Sequence, residues 1–135
     1  MYAFHVDVAQ GVTKLDIHVD FLAVAGSTVS SDDGSTNGLQ TTMEWEEVLL
    51  YPAGVPVREI AVTPSVKLPA DWKLGTALTP TSADGTTTHF APTTIEMLVD
   101  SPVIAGKYFR VIPLAPDVTR TTFSTLLQMR QRISN

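Results

Sequence analysis

The residues able to do chemistry in this chain are few and scattered. His5 and His18 fall on the polar parity of two neighbouring alternating runs, where they could face each other across a strand pair as a two-histidine metal arrangement. Solvated or locally hydrogen-bonded imidazoles are the simpler expectation. His5, His18 and His89 show neither the i,i+4 spacing that puts two imidazoles on one helix face nor a Glu set between them, so no His-Glu-x-x-His zinc motif is present. Glu44 and Glu46 would share a face if their segment were a strand, which resembles the carboxylate pair of a glycoside hydrolase, yet no cleft is implied around them or Glu47. Asp32-Asp33-Gly34-Ser35-Thr36-Asn37 is rich in oxygen donors but lacks the alternating Asp/Asn spacing and closing Glu of a calcium loop. Ser101, within Asp100-Ser101-Pro102, has no histidine near it in sequence and no Gly-x-Ser-x-Gly elbow around it. A turn organised by Asp100 and Ser101 is the plain reading of that segment. Trp45 and Trp72 are the two indoles, and core packing is the first expectation for each because an indole buries so much area.

What must position these groups follows from size and composition. A chain of 135 residues fits one domain with a single two-layer core. With 44% apolar and 17% charged residues it has the balance of a folded protein rather than a disordered one. Residues 1–117 carry six Lys/Arg against fourteen Asp/Glu, a balance of −8, while residues 118–135 carry three Arg and no acid. An acidic body without a basic, aromatic-interleaved stripe excludes a nucleic-acid binder. The absence of cysteine removes disulfides, thiolate catalysis and Cys-based zinc sites. No apolar run reaches the roughly 20 residues that span a bilayer, and no signal-peptide pattern opens the chain, so a soluble chain without membrane contact is expected.

Period-two patterning dominates. Tyr2, Phe4, Val6 and Val8, then Leu15, Ile17, Val19 and Phe21, alternate with polar residues around Gly11, which predicts a hairpin with one buried face. Residues 26–38 read as a loop and residues 40–51 as a strand. Pro64 interrupts the apolar parity of Ile60, Val62, Val66 and Leu68 and predicts an edge or a bulge. A further strand follows around Trp72, Leu74 and Leu78, and Asp84-Gly85 predicts a tight turn into Thr86–Phe90. The Thr93-x-x-Glu96 spacing predicts a short helix over 93–99, capped by Thr93 and ended by Pro102. Lys107 to Leu114 returns to strand. Phe123, Leu126, Leu127 and Ile133 lie at near-helical spacing, with Arg130 and Arg132 suited to a helix C-terminus, so a terminal amphipathic helix is expected. The whole predicts an all-β, antiparallel β-sandwich over 1–115 with one short helix, followed by a helical tail over 116–135.

Four strings carry a resemblance: MYAFHVDVAQGVTKLDIHVDFL at the start, VLLYPAG, LPADWKLGTAL, and LVDSPVIAGKYFR. In this order they resemble the N-terminal region of the glycyl-aminopeptidase family of bacterial zinc metallopeptidases over about residues 2–114. Members of that family usually end in a PDZ domain and are similar to the aminopeptidase N superfamily. The resemblance implies an all-β N-terminal domain followed by a thermolysin-like domain whose zinc is held by His-Glu-x-x-His and a distal Glu. None of that motif is in this chain, so no catalytic, metal or cofactor residue carries over. Compared with the family pattern the chain reads as truncated at both ends, and residues 116–135 do not match the expected linker.

The expected function is that of a non-catalytic domain that packs against the catalytic domain of a parent peptidase and helps to position substrate. In the family, the string matching Leu98, Val99, Asp100, Ser101 and Pro102 forms an irregular loop near the junction, which makes these residues the candidate interdomain or cleft contact. The alternative is a self-standing binding module for a carbohydrate or a protein, with Trp45 and Trp72 as platforms. If strands are missing, an uncovered edge or apolar surface also predicts a homodimer.

Overall fold

The computed structural model describes residues 3–22, 35–113 and 123–127, and in them short antiparallel strands carry nearly all of the regular structure. In chain order these are β1 (Ser35–Thr36), β2 (Gln40–Met43), β3 (Ala61–Val62), β4 (Ser65–Lys67), β5 (Lys73–Gly75), β6 (Pro80–Asp84), β7 (Thr87–Phe90), β8 (Thr93–Thr94), β9 (Val103–Gly106), β10 (Phe109–Pro113) and β11 (Phe123–Leu127). One helix, α1 (Ile95–Val99), and two 3-10 turns, Trp45–Glu47 and Val57–Glu59, complete the set. The strands form a four-stranded sheet in the order β1-β2-β9-β5, a three-stranded sheet β4-β7-β6, and the pairs β3-β8 and β10-β11. The all-β, antiparallel expectation therefore holds.

Local chemistry explains the best-formed hairpin. Asp84 pairs with Thr87, leaving Gly85 and Thr86 as a two-residue loop. Gly85 sits at φ +58, and among the described residues no non-glycine residue has positive φ, which is the pattern of a type II′ turn with Gly at the first central position. Pro64 behaves as its missing N–H requires. It precedes β4, which lies at the edge of its sheet, and its carbonyl accepts from Phe90 N at 3.1 Å. The helix is one residue shorter at its start than the capping-box spacing predicts. Thr94, in extended conformation, is the cap, and its Oγ1 accepts from Met97 N at 3.3 Å, while Thr93 stays in β8 opposite Val62.

Both larger sheets feed one core. Val103 and Ala105 from β9 join Val66 from β4, Phe90 from β7, Leu98 from α1, and Trp45 and Leu78. Phe90 and Val103 are the largest fully buried side chains, each adding about 1.5–3 kcal/mol of transfer free energy.

Three expectations need correction. The segment read as a strand over 40–51 is strand only to Met43, after which Trp45–Glu47 turns as a 3-10 helix, so Glu44 and Glu46 share no strand face. Residues 3–22 contain the expected turn, with Gly11 at φ +89 and Val12 N donating to Ala9 O at 3.2 Å, but no ladder and no buried face. Alternation marks which residues can share a face, whereas burial needs a second layer, and Phe4, Val6, Val8, Leu15, Ile17, Val19 and Phe21 remain exposed. In the tail, Phe123–Leu127 is a strand rather than a helix, paired from Phe109↔Leu127 to Pro113↔Phe123. Five residues are too few for periodicity to separate helix from strand, and ladder pairing with β10 decides it. The remainder of the tail, including Arg130, Arg132 and Ile133, lies outside the described residues, as does most of the 26–38 loop.

Candidate functional site

The Leu98–Pro102 segment is held from several sides. Leu98 is buried in the core, Asp100 N donates to Glu96 O at 3.4 Å, and Ser101 N donates to Leu98 O at 3.0 Å. Ser101 is only 4% exposed, and its Oγ donates to Met97 O at 2.8 Å. A buried hydroxyl committed to a helix carbonyl is bonded as a structural group. The Ser101 carbonyl accepts twice, from Trp45 Nε1 at 2.9 Å and from Thr76 Oγ1 at 3.1 Å. These bonds fix a turn from which Asp100 projects into solvent, with Val99 and Pro102 half-buried on either side of it.

A concavity lies at the other end of β9. Three turns converge there. Asn37 N donates to Gln40 O at 2.9 Å, and Asn37 Oδ1 accepts from Leu39 N and Gln40 N at 2.8 and 3.1 Å. Trp72 N closes the 69–72 turn on Pro69 O at 3.1 Å, and Lys107 N reaches Leu39 O at 2.9 Å. Gly106 stands opposite both Gln40 and Lys73, so β9 draws the three turns together. Between them is an open cleft of about 570 Å³ lined by residues that include Asn37, Leu39, Leu68, Asp71, Trp72 and Lys107. Lys107 Nζ donates to Asp71 Oδ2 at 2.7 Å across its rim. That hydrogen bond first, and the opposite charge second, holds the Asp71 carboxyl below its usual range and the Lys107 ammonium above its own.

The remaining candidates are not assembled into sites. His5 and His18 are exposed in the 3–22 segment, and His89 pairs with Ser65 and Ser82 within its sheet. Among the described residues no group of three or more metal-ligating side chains occurs. Of the oxygen-rich loop, Asn37 is described, and its side-chain oxygen already takes two amides. Burial, then the charges of Glu46 and Glu47, pushes the Glu44 carboxyl up. Of the two tryptophans, Trp45 is a core residue with its N–H satisfied, and Trp72 lines the cleft. Sequence reasoning missed the cleft because Asn37, Asp71 and Lys107 come from three separated turns. Its one local signal is the adjacency of Asp71 and Trp72.

These features define an all-β, antiparallel domain with a rigid turn at one end of its central strand and an open cleft at the other. The family model of the peptidase M61 N-terminal domain matches residues 1–107, and the chain belongs to that family. No curated protein matches the chain. Among the described residues no helix is long and apolar enough to cross a membrane.

Proposed function

We propose that this chain is a non-catalytic part of an M61 peptidase, which packs against the zinc-bearing catalytic domain and helps to position the peptide substrate without turnover of its own. The observation that carries the reading is the turn at Leu98–Pro102. Its backbone is fixed by bonds to Trp45, Thr76 and α1, yet it offers Asp100 outward, as a contact made to another domain requires. The match to an N-terminal domain supports the same division of labour. The strings at residues 1–22, 48–54, 68–78 and 98–110 favour a bacterial, glycyl-aminopeptidase-type parent, similar to aminopeptidase N and with a PDZ domain. Core residues drawn from both larger sheets favour a sandwich as the completed architecture.

The reading extends to self-association. The exposed apolar parity of residues 3–22 is a surface that a second copy of the chain can cover.

Peptide turnover by the isolated chain with added zinc tests the first part, and background activity is the expected result. A full-length relative carrying the equivalent of Asp100→Ala tests the second. Reduced turnover with unchanged stability is expected, and normal turnover removes the basis for the contact.

A further inference from the structure

We infer that the cleft between Trp72 and the Asp71–Lys107 pair is a binding site for a neutral saccharide. Its size falls in the range of small-molecule sites, and its apolar wall is fixed, because Leu68 and Trp72 pack against the core while also lining the cleft. An indole held in this way offers a flat apolar face to the C–H face of a sugar ring. The Trp72 indole N–H has no acceptor among the described residues.

The polar rim matches vicinal hydroxyls. Each hydroxyl both donates and accepts, and the rim presents an acceptor and a donor side by side. Lys107 Nζ spends one of its three donors on Asp71 Oδ2, and the carboxylate keeps lone pairs free. Both side chains are about half exposed, so a ligand reaches them without breaking the pair. Asn37 Oδ1 is occupied by two amides, which leaves its NH₂ as a further donor. The paired charges cancel, so the rim favours neither an anion nor a cation. A peptide fits less well. Two of the backbone groups nearest the cleft are already engaged, Lys107 N by Leu39 O and Gln40 by Gly106, which leaves fewer of them for strand addition.

The site does not rest on the peptidase reading. It lies at the opposite end of β9 from Ser101, and the four residues of that strand span roughly 13 Å at the rise of an extended chain. The test is titration of the whole 135-residue chain with cellotriose, maltotriose and triacetylchitotriose, each to about 10 mM, enough to saturate a millimolar site, read by amide chemical shifts. At least one trisaccharide is expected to shift the amides of Leu39, Asp71, Trp72 and Lys107 saturably. Asp71→Asn and Lys107→Gln are each expected to weaken that binding tenfold or more while the thermal midpoint stays near that of the unmodified chain. Trp72→Phe keeps the core contact with a smaller face and is expected to weaken binding several-fold. The proposal is overturned if none of the three saccharides shifts these amides, if shifts appear but ignore both rim variants, or if triglycine shifts them and the saccharides do not. None of these results bears on the Asp100 contact, which is read separately in full-length turnover.

Discussion

Trp45 Nε1 donates to the Ser101 carbonyl at 2.9 Å across 56 residues of sequence, joining the 3-10 turn after β2 to the exit of α1. Thr76 Oγ1 shares that acceptor, so one oxygen gathers three segments. Trp45→Phe keeps most of the ring in the core but removes the donor, and is expected to lose about 1–2 kcal/mol in equilibrium urea unfolding. Trp45→Ala adds a cavity and is expected to lose about 3–5 kcal/mol. Equal losses for the two variants would mean that the hydrogen bond, not the packed ring, dominates.

The same turn holds both bonded, buried groups and one exposed carboxylate. Ser101→Ala removes the bond to Met97 O from a buried site and is expected to lose about 1 kcal/mol. Thr94→Ala removes the N-cap and is expected to lose a similar amount, about 1 kcal/mol. Asp100→Ala, at an exposed position, should stay within about 0.5 kcal/mol of the parent. On the proposed interdomain contact, its effect is expected in the turnover of a full-length peptidase. Large destabilisation by Asp100→Ala would make the residue a scaffold element.

Turns and parity were the legible part of this fold. Asp84-Gly85 announces its hairpin because only glycine takes the required φ cheaply, and Pro64 announces an edge because it has no proton to donate. The helix was legible to within one capping residue, since Thr93 and Thr94 offer the same hydroxyl, both pair within β8, and it is the Thr94 hydroxyl that accepts from Met97 N. Phe123–Leu127 was not legible, because its partner β10 supplies the ladder that a helical spacing ignores. The turn at Leu98–Pro102 could be located from its string, but Trp45 and Thr76, which hold it, are far away in sequence. The cleft was less legible still, as no local pattern links Asn37, Asp71 and Lys107.

Glu44 gives the chain a signed pH response. Burial and the neighbouring Glu46 and Glu47 charges raise its folded pKa above the ordinary 4.5. The folded state therefore holds a proton more tightly than the unfolded chain, so stability rises as pH falls through the raised value. The penalty of the ionised carboxylate is full above the folded pKa and gone once pH is below the unfolded one. Glu44→Gln is expected to stabilise the chain at neutral pH, with the gain vanishing below about pH 4.5. Thermal midpoints of both proteins across pH 4 to 8 decide it, and a gain independent of pH would remove the electrostatic account.

Gly85 isolates a purely conformational effect. A Cβ placed there meets nothing within 4 Å, so Gly85→Ala introduces no clash beyond that of its own backbone at φ +58. The expected loss is about 1–2 kcal/mol, the strain of an L-residue in the left-handed region. Gly38→Ala, also in open space but without positive φ, is the control and should be nearly neutral. Matching losses at both positions would show that the strain argument is wrong.

The 3–22 segment supplies the prediction with the widest consequence. Seven apolar residues of one alternating pattern, from Phe4 to Phe21, are exposed on the two sides of the Gly11 turn. Such a surface is larger in apolar content than isolated exposed side chains on a folded protein, and a two-fold axis lets the same residues of two copies cover one another. Sedimentation at roughly tens of micromolar, where exposed edges begin to associate, is expected to give a dimer. Ile17→Lys and Val19→Lys place charge within the apolar parity and are each expected to shift the equilibrium to monomer without lowering the cooperativity of the core, whose residues lie elsewhere. A monomer at these concentrations, or a dimer indifferent to both lysines, would move the contact away from this segment.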